Sequence, residues 1–315
     1  MYSRMGDDTL VAYYDLKTAP ITFDFTHFLV SASAYALGHG YKYFDVAVVA
    51  DAFRNLTPRE QAYSMEEREW RLWNLIIETI KIVPTACNVS LIRRPMTGSH
   101  VHSYPPNYHP ETNNVTPYGI PVVNSVHDQG FDVQIFEPSA YALSAAKKMC
   151  RYGEKKIVTF TLRKAGYESV RDSRLAEWAK FSEILTEMGY HVVVIPDQDD
   201  MLSDRTIFEY DWHVADVASM SLDLRLAIYN LAEMNYVTNG GMVGLFMYSK
   251  VPFFWYSVMV EGSHVASADY YRHQGLEVGK KFKWLGDDQQ MIWKPDDFEN
   301  LMESLASPAL SSRAL

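Results

Sequence analysis

Four cations fall within twelve residues of a chain whose formal net charge is −10: Arg163-Lys-Ala-Gly-Tyr-Glu-Ser-Val-Arg171-Asp-Ser-Arg174. They follow the apolar, β-branched run Ile157–Leu162 and precede an amphipathic stretch that begins at Leu175. That places them beyond the C-terminal end of a strand and ahead of a helix, where free N–H groups and the positive dipole end favour an anion. In an open parallel sheet, ligands sit at such strand ends. A planar guanidinium matches phosphate oxygens in a way that lysine cannot. Arg163, Arg171 and Arg174 are therefore candidate phosphate ligands. The competing reading is a solvated loop whose arginines pair with Asp172 and Glu168.

A second candidate is bare. In Asn235-Tyr-Val-Thr-Asn-Gly-Gly-Met-Val-Gly-Leu-Phe-Met the strand-to-helix turn Thr238-Asn239-Gly240-Gly241 has no acid, base or nucleophile. Glycines there allow positive φ and let a phosphate approach the backbone. Alternatively, the turn needs them only for packing. The spacing is neither the G-x-G-x-x-G of a dinucleotide fold nor the G-x-x-x-x-G-K-[ST] of a P-loop.

These two turns need strands and helices to hold them, and the sequence supplies an alternation of both. In the first half, Ile21–Phe25 reads as a strand and His27–Leu37 as a helix. Phe44–Ala50 reads as a buried parallel strand, and Glu66–Val83 as a long helix with apolar residues at three- and four-residue steps. Val89–Ile92 reads as a further strand. Residues 93–131 then read as one long loop, with prolines 95, 105, 106, 110, 117 and 121 and histidines 100, 102, 109 and 127. A loop of that length in a compact protein is usually functional or mobile. Ser139–Tyr152 reads as a helix capped by Ser139.

The second half repeats the pattern. The strand Ile157–Leu162 leads to a helix Leu175–Met188 with Ser173 as N-cap and Gly189 past its end. The strand His191–Ile195 follows, then a helix Leu222–Met234 capped by Ser221. The bare turn with its flanking strands comes next, and a closing helix starts at Pro295. This alternation predicts an α/β fold of two Rossmann-like domains facing a cleft. The expected boundaries are residues 1–150 and 151–315.

Composition narrows the function. The acidic balance argues against a general nucleic-acid binder. The longest apolar run, Val251–Val260, is too short to span a bilayer. MYSRMGDDTL lacks the apolar core of a secretory signal. Cys87 and Cys150 offer no disulfide framework and are expected to be buried thiols of a cytoplasmic protein. The histidines of the 93–131 loop lack the spacing of a zinc site, so no metal and no cofactor is expected.

Residues 157–256 resemble the donor-binding half of GT-B glycosyltransferases, the heptosyltransferase-like group in particular. "RLAEWAKFSEILTEMGYHVVVIPD" is similar to that group's tryptophan helix and following strand. "LRLAIYNLAEMNYVTNGGMVGLFMYSKVPFFWY" is similar to its later helix, donor turn and strand. The resemblance implies that Arg174 stands near the donor diphosphate and that Thr238, Asn239, Gly240 and Gly241 form the donor turn. Asn239-Gly240 replaces the group's acidic-Ser/Thr pair, and Gly244 falls near its histidine, so the donor's identity does not transfer.

A GT-B enzyme of this kind would use arginines and helix N-termini, not a metal, to neutralise the leaving diphosphate. The nucleotide-sugar would be a co-substrate, and the acceptor a glycan or small molecule. The acceptor hydroxyl needs a base from the first half, for which Asp24 and His27 are the candidates. Asp24 would otherwise be a helix cap. Two other functions fit: a sugar-nucleotide epimerase of the same fold, and a partner-binding module without catalysis.

Overall fold

The computed structural model describes residues 9–50, 63–92, 102–165, 168–197 and 205–307. The chain divides into two compact units, Met1–Phe136 and Glu137–Leu315. Each is built on its own parallel sheet.

The first unit opens with β1 (Thr9–Asp15), whose residues from Leu10 onward are buried. The helix α1 (Phe25–Gly38) follows, then β2 (Tyr43–Val49). The helix α2 (Met65–Arg71) runs through a π-helical segment, Leu72–Ile77, into α3 (Glu78–Ile80). Its start is fixed by a reciprocal pair, in which Ser64 accepts from the Glu67 N–H while the Glu67 carboxylate accepts from the Ser64 N–H. The strands β3 (Ala86–Ile92) and β4 (Ser103–Tyr104) and the helix α4 (Ile120–Asp128) complete the unit. The sheet order is β3-β2-β1-β4.

Two expectations are corrected here. Ile21–Phe25 is not a strand: Phe25, Thr26 and His27 donate to carbonyls three residues back, which coils the segment into the start of α1. The strand is β1, whose apolar run is paired on both sides by β2 and β4. The stretch 93–131 is not one loop either. It contains β4 and α4, whereas Pro95 and His100 lie outside the described residues. A two-residue strand is too short to leave a pattern. Pro121, a loop signal at first sight, occupies the first turn of α4, where its missing N–H has no helical partner to lose.

The second unit begins with α5 (Ala140–Met149), capped by the Ser139 hydroxyl accepting from the Ala142 N–H. The strand β5 (Ile157–Thr161), helix α6 (Leu175–Glu187) and strand β6 (His191–Ile195) follow. Then come β7 (His213–Val214), α7 (Leu222–Leu231), β8 (Met234–Thr238) and α8 (Val243–Met247). The chain continues through β9 (Phe253–Tyr256), α9 (Ala268–His273), β10 (Gln289–Met291) and α10 (Phe298–Glu303).

The division at Phe136 lies before the expected boundary at 150, because α5 packs on α7. The Ser139 N–H and hydroxyl both donate to Asp223, at 2.8 and 2.6 Å, which ties α5 to the second unit.

The second sheet has the order β10-β9-β8-β5-β6-β7. The chain lays β6 and β7 to one side of β5, then crosses over to lay β8, β9 and β10 on the other. That is the doubly wound order of a Rossmann fold, with its switch point between β5 and β8. Its core gathers Phe160, Trp178, Phe181, Tyr236 and Tyr256 between the sheet and α6. The Trp178 ring meets Phe160 edge-on at 4.9 Å and Tyr236 at 6.1 Å. Among the described residues, no helix is long and apolar enough to cross a membrane. Cys150 is buried, but Cys87, expected to be buried, is exposed on β3.

Candidate functional site at the strand ends of the second unit

Register puts the two turns side by side. Thr161 pairs with Val237 across β5 and β8, and Thr238 pairs with Tyr256 across β8 and β9. The basic loop after β5 and the Thr238–Gly241 turn after β8 therefore flank the switch point.

The loop and the turn are joined by hydrogen bonds. Ser173, expected to cap α6, instead accepts from the Arg163 N–H at 2.7 Å, and its hydroxyl lies 2.7 Å from that of Thr238. Arg174 occupies the N-cap position without a side-chain cap. Its N–H is bound by the buried Asp296 carboxylate at 3.1 Å. Asp296 also accepts from Nε1 of Trp178 at 2.8 Å and from the Ser257 hydroxyl at 3.0 Å. A single carboxylate thus fastens the start of α6, the end of β9 and the start of α10. Asn239 is buried and donates from Nδ2 to the Val258 carbonyl at 3.0 Å.

The three arginines differ in what they can do. Arg163 has a side chain only 7% exposed and is paired with Asp172; it also donates to the Glu168 carbonyl at 3.2 Å. Burial lowers the Arg163 pKa and raises that of Asp172, so desolvation outweighs their attraction in both partners. Arg171 is 10% exposed and lies 3.0 Å from the Glu168 carboxylate. Glu168 in turn accepts from the Ser263 hydroxyl at 2.7 Å and the His264 N–H at 3.1 Å. Burial pushes its pKa up, but those two bonds and the Arg171 charge prevail and hold it below the usual value. Both arginines thus stand in the pairs weighed for a solvated loop, although Arg163 is buried and Arg171 half-buried. Arg174 differs. Its side chain is 55% exposed and sits 4.0 Å from Asp296 at the start of α6.

The seven residues proposed for a donor thus fall into two groups. Arg163, Arg171, Thr238 and Asn239 form the frame through the contacts above. Arg174 and the Gly240–Gly241 backbone face outward, Gly241 being exposed. Gly240 does not have the left-handed backbone that glycines at such turns often supply. A β-carbon there would meet the Arg163 Cδ at 3.6 Å, an ordinary contact. The fold itself gives no reason for glycine at 240.

In the first unit, Asp24 precedes α1 but does not cap it. Its carboxylate accepts from the Thr22 hydroxyl at 3.0 Å and stays 29% exposed. His27 lies 3.9 Å from it and is buried, and burial lowers its pKa against the pull of the Asp24 charge. Sequence reasoning missed Asp15, at the C-terminal end of β1. It is buried and accepts from the Tyr108 hydroxyl at 2.7 Å, and burial with that bond raises the Tyr108 pKa. The signal was an Asp closing the apolar run Leu10–Tyr14, at a strand end where ligands gather.

The loop histidines are dispersed. His102 bonds to the Tyr41 hydroxyl, and His109 accepts from the N–H groups of Glu111 and Thr112 at 3.2 and 3.3 Å. His127 lies in the last turn of α4, and His100 is outside the described residues. Among the described residues, no three His, Cys, Asp or Glu side chains gather as metal ligands would.

The fold is α/β, with two parallel sheets in one chain. No family model matches the chain. No curated protein matches it. Among solved structures it is similar to a glycosyl transferase of family 9 from Veillonella parvula, with 10% identity over 79% of this chain and 80% of that one and a TM-score of 0.49. It is also similar to ADP-heptose lps heptosyltransferase II of E. coli: 12% identity, 98% and 100% covered, TM-score 0.48. A putative UDP-N-acetylglucosamine 2-epimerase from Listeria monocytogenes is a third: 10% identity, 98% and 89% covered, TM-score 0.40.

Proposed function

We propose that the chain is a glycosyltransferase that moves a sugar from a nucleotide-sugar to a glycan or small acceptor. The observation that supports this most is the meeting of an exposed arginine and a bare glycine turn at the switch point of a Rossmann-ordered sheet. Arg174 and the Gly240–Gly241 backbone receive the donor diphosphate, and Arg163, Arg171, Thr238 and Asn239 hold them in place.

In the reaction, the acceptor oxygen forms a bond to the anomeric carbon and its proton passes to Asp24. The bond from that carbon to the diphosphate breaks, and the nucleoside diphosphate leaves with the electron pair. Arg174 meets the charge that develops there, and no metal is required for it. Asp24 suits the role because its carboxylate is partly exposed and spends no bond on capping α1.

The test is a thermal-shift screen across nucleoside diphosphates and nucleotide-sugars, followed by an assay of nucleoside diphosphate release. A ligand that binds only the native state raises its apparent stability. Release that requires an acceptor supports the transferase. Sugar conversion without acceptor would make the protein an epimerase, and binding without turnover a module. The absence of any nucleotide effect would overturn the proposal.

A further inference from the structure

At the opposite edge of the second sheet lies a cavity of about 620 Å³, lined by Met149, Arg151, Glu154, Lys155, His191 and His213. His191 opens β6 and His213 opens β7, at the N-terminal ends of the strands, away from the turns described above. The two rings stack with centroids 5.0 Å apart and planes 12° from parallel.

Hydrogen bonding fixes the protons of this pair. His191 Nδ1 lies 3.1 Å from the Cys150 carbonyl, which can only accept, so Nδ1 carries the proton. Nε2 of neutral His191 is then an acceptor, and His213 Nδ1, 3.0 Å away, donates to it. The chain of donors ends at His213 Nε2, which holds a lone pair in the neutral ring. One proton can enter there without breaking either bond, and it makes His213 both a cation and a donor.

Two fixed cations share the cavity. Among the described residues, neither Arg151 nor Lys155 has an ion-pair partner, and Glu154 is the one acid of the lining. Arg151 also has a left-handed backbone, φ 50°, as the residue following the Cys150 C-cap of α5. Glycine is the usual choice there, because a β-carbon in that conformation costs stability. A strained position occupied by a cation is an observation from which function is reasonably inferred.

We propose that this cavity binds a phosphate-type oxyanion of a small molecule through Arg151, Lys155 and His213 Nε2, more tightly when His213 is protonated. The charges around the pair set the range. Burial holds His213 below its ordinary pKa of 6.5, with His191 and Arg151 acting the same way and Asp216 opposing. His191 is lowered by burial too, with Arg151 and Lys155 lowering and the Cys150 bond and Glu154 raising. A bound dianion reverses the repulsion that His213 feels, so anion and proton bind together.

The test uses the full chain and sulfate, whose charge is constant over the range, with acetate at equal ionic strength to separate a dianionic oxyanion from a carboxylate. Histidine resonances followed by NMR between pH 5 and 8 give the His213 pKa with and without sulfate. Sulfate should raise that pKa, and its affinity should grow by up to about tenfold per pH unit as pH falls toward it. His213→Asn keeps a donor toward His191 but offers none in place of Nε2, so it should abolish the pH dependence. Arg151→Gly relieves the backbone, so it should keep or gain thermal stability while sulfate affinity drops at least tenfold. A sulfate response equal in the parent and both variants, or no response in the parent, overturns the proposal. A larger effect of acetate than of sulfate overturns the phosphate-type assignment.

Discussion

A methyl group added to Gly240 would touch the Arg163 side chain at an ordinary distance and meet no left-handed strain. Gly240→Ala is therefore expected to change stability by less than about 0.5 kcal/mol, as at positions away from buried features. Nucleoside-diphosphate binding should fall, because the methyl occupies the space a phosphate needs. Thermal melting and calorimetry on the same variant check both halves. A large drop in melting temperature would show that the turn itself requires glycine. Asp24 carries the second expectation at this scale. Asp24→Asn should reduce kcat by about 10²–10⁴-fold, the usual contribution of a general base. Affinity for the donor should stay at the parental value, and an unchanged kcat would remove Asp24 from the chemistry. Residue types and their placement after strands pointed to Gly240 and Arg174, and the resemblance to a GT-B enzyme pointed to Asp24. They did not show which arginine stays exposed, since pairing with Asp172 and Glu168 depends on how the loop folds back.

At the scale of elements, the frame depends on Asp296. It accepts from Arg174 N–H, Trp178 Nε1 and the Ser257 hydroxyl, joining segments far apart in the chain. Asp296→Ala leaves these donors without their acceptor and is expected to cost about 3–5 kcal/mol. Asp296→Asn, which retains a carbonyl acceptor, should cost clearly less. Urea midpoints measure the difference, and equal, small losses would mean that the loops are held by other contacts. The opposite edge of the sheet yields a pH prediction. His191 and His213 both have folded pKa values below their ordinary 6.5, with burial the leading cause. The unfolded chain then binds more protons, so stability is full above pH 6.5 and declines as pH falls toward the folded values. Replacing His213 with Asn should flatten that decline in urea titrations at pH 5 to 8. A parental stability unchanged over this range would contradict it. Long, periodic helices such as α6 were legible in the sequence because burial of one face writes its period there, and β6 was legible as a short apolar, β-branched run. The strands β4, β7 and β10 span two or three residues and leave no period. The role of Asp296 was invisible because its partners meet only in the folded unit.

At the scale of the molecule, the alternation of strands and helices was enough to foresee two parallel α/β units. The dividing point was not, since α5 joins the second unit through its packing on α7 and the Ser139–Asp223 bonds. Strand order likewise comes only from the fold, and it is what makes neighbours of the two turns that sequence reading singled out separately. The central claim is that these neighbouring turns receive a nucleoside diphosphate. The most direct measurement is isothermal titration of the full chain with nucleoside diphosphates, comparing the parent with Arg174→Ala. Loss of one charge-assisted hydrogen bond costs about 1.5–3 kcal/mol, a weakening of roughly 10- to 150-fold. The account predicts one-to-one binding by the parent, weakened to that degree in Arg174→Ala, with an unchanged melting temperature because an exposed cation contributes little to stability. Equal affinity in parent and variant, or no binding by the parent to any nucleoside diphosphate, would contradict it.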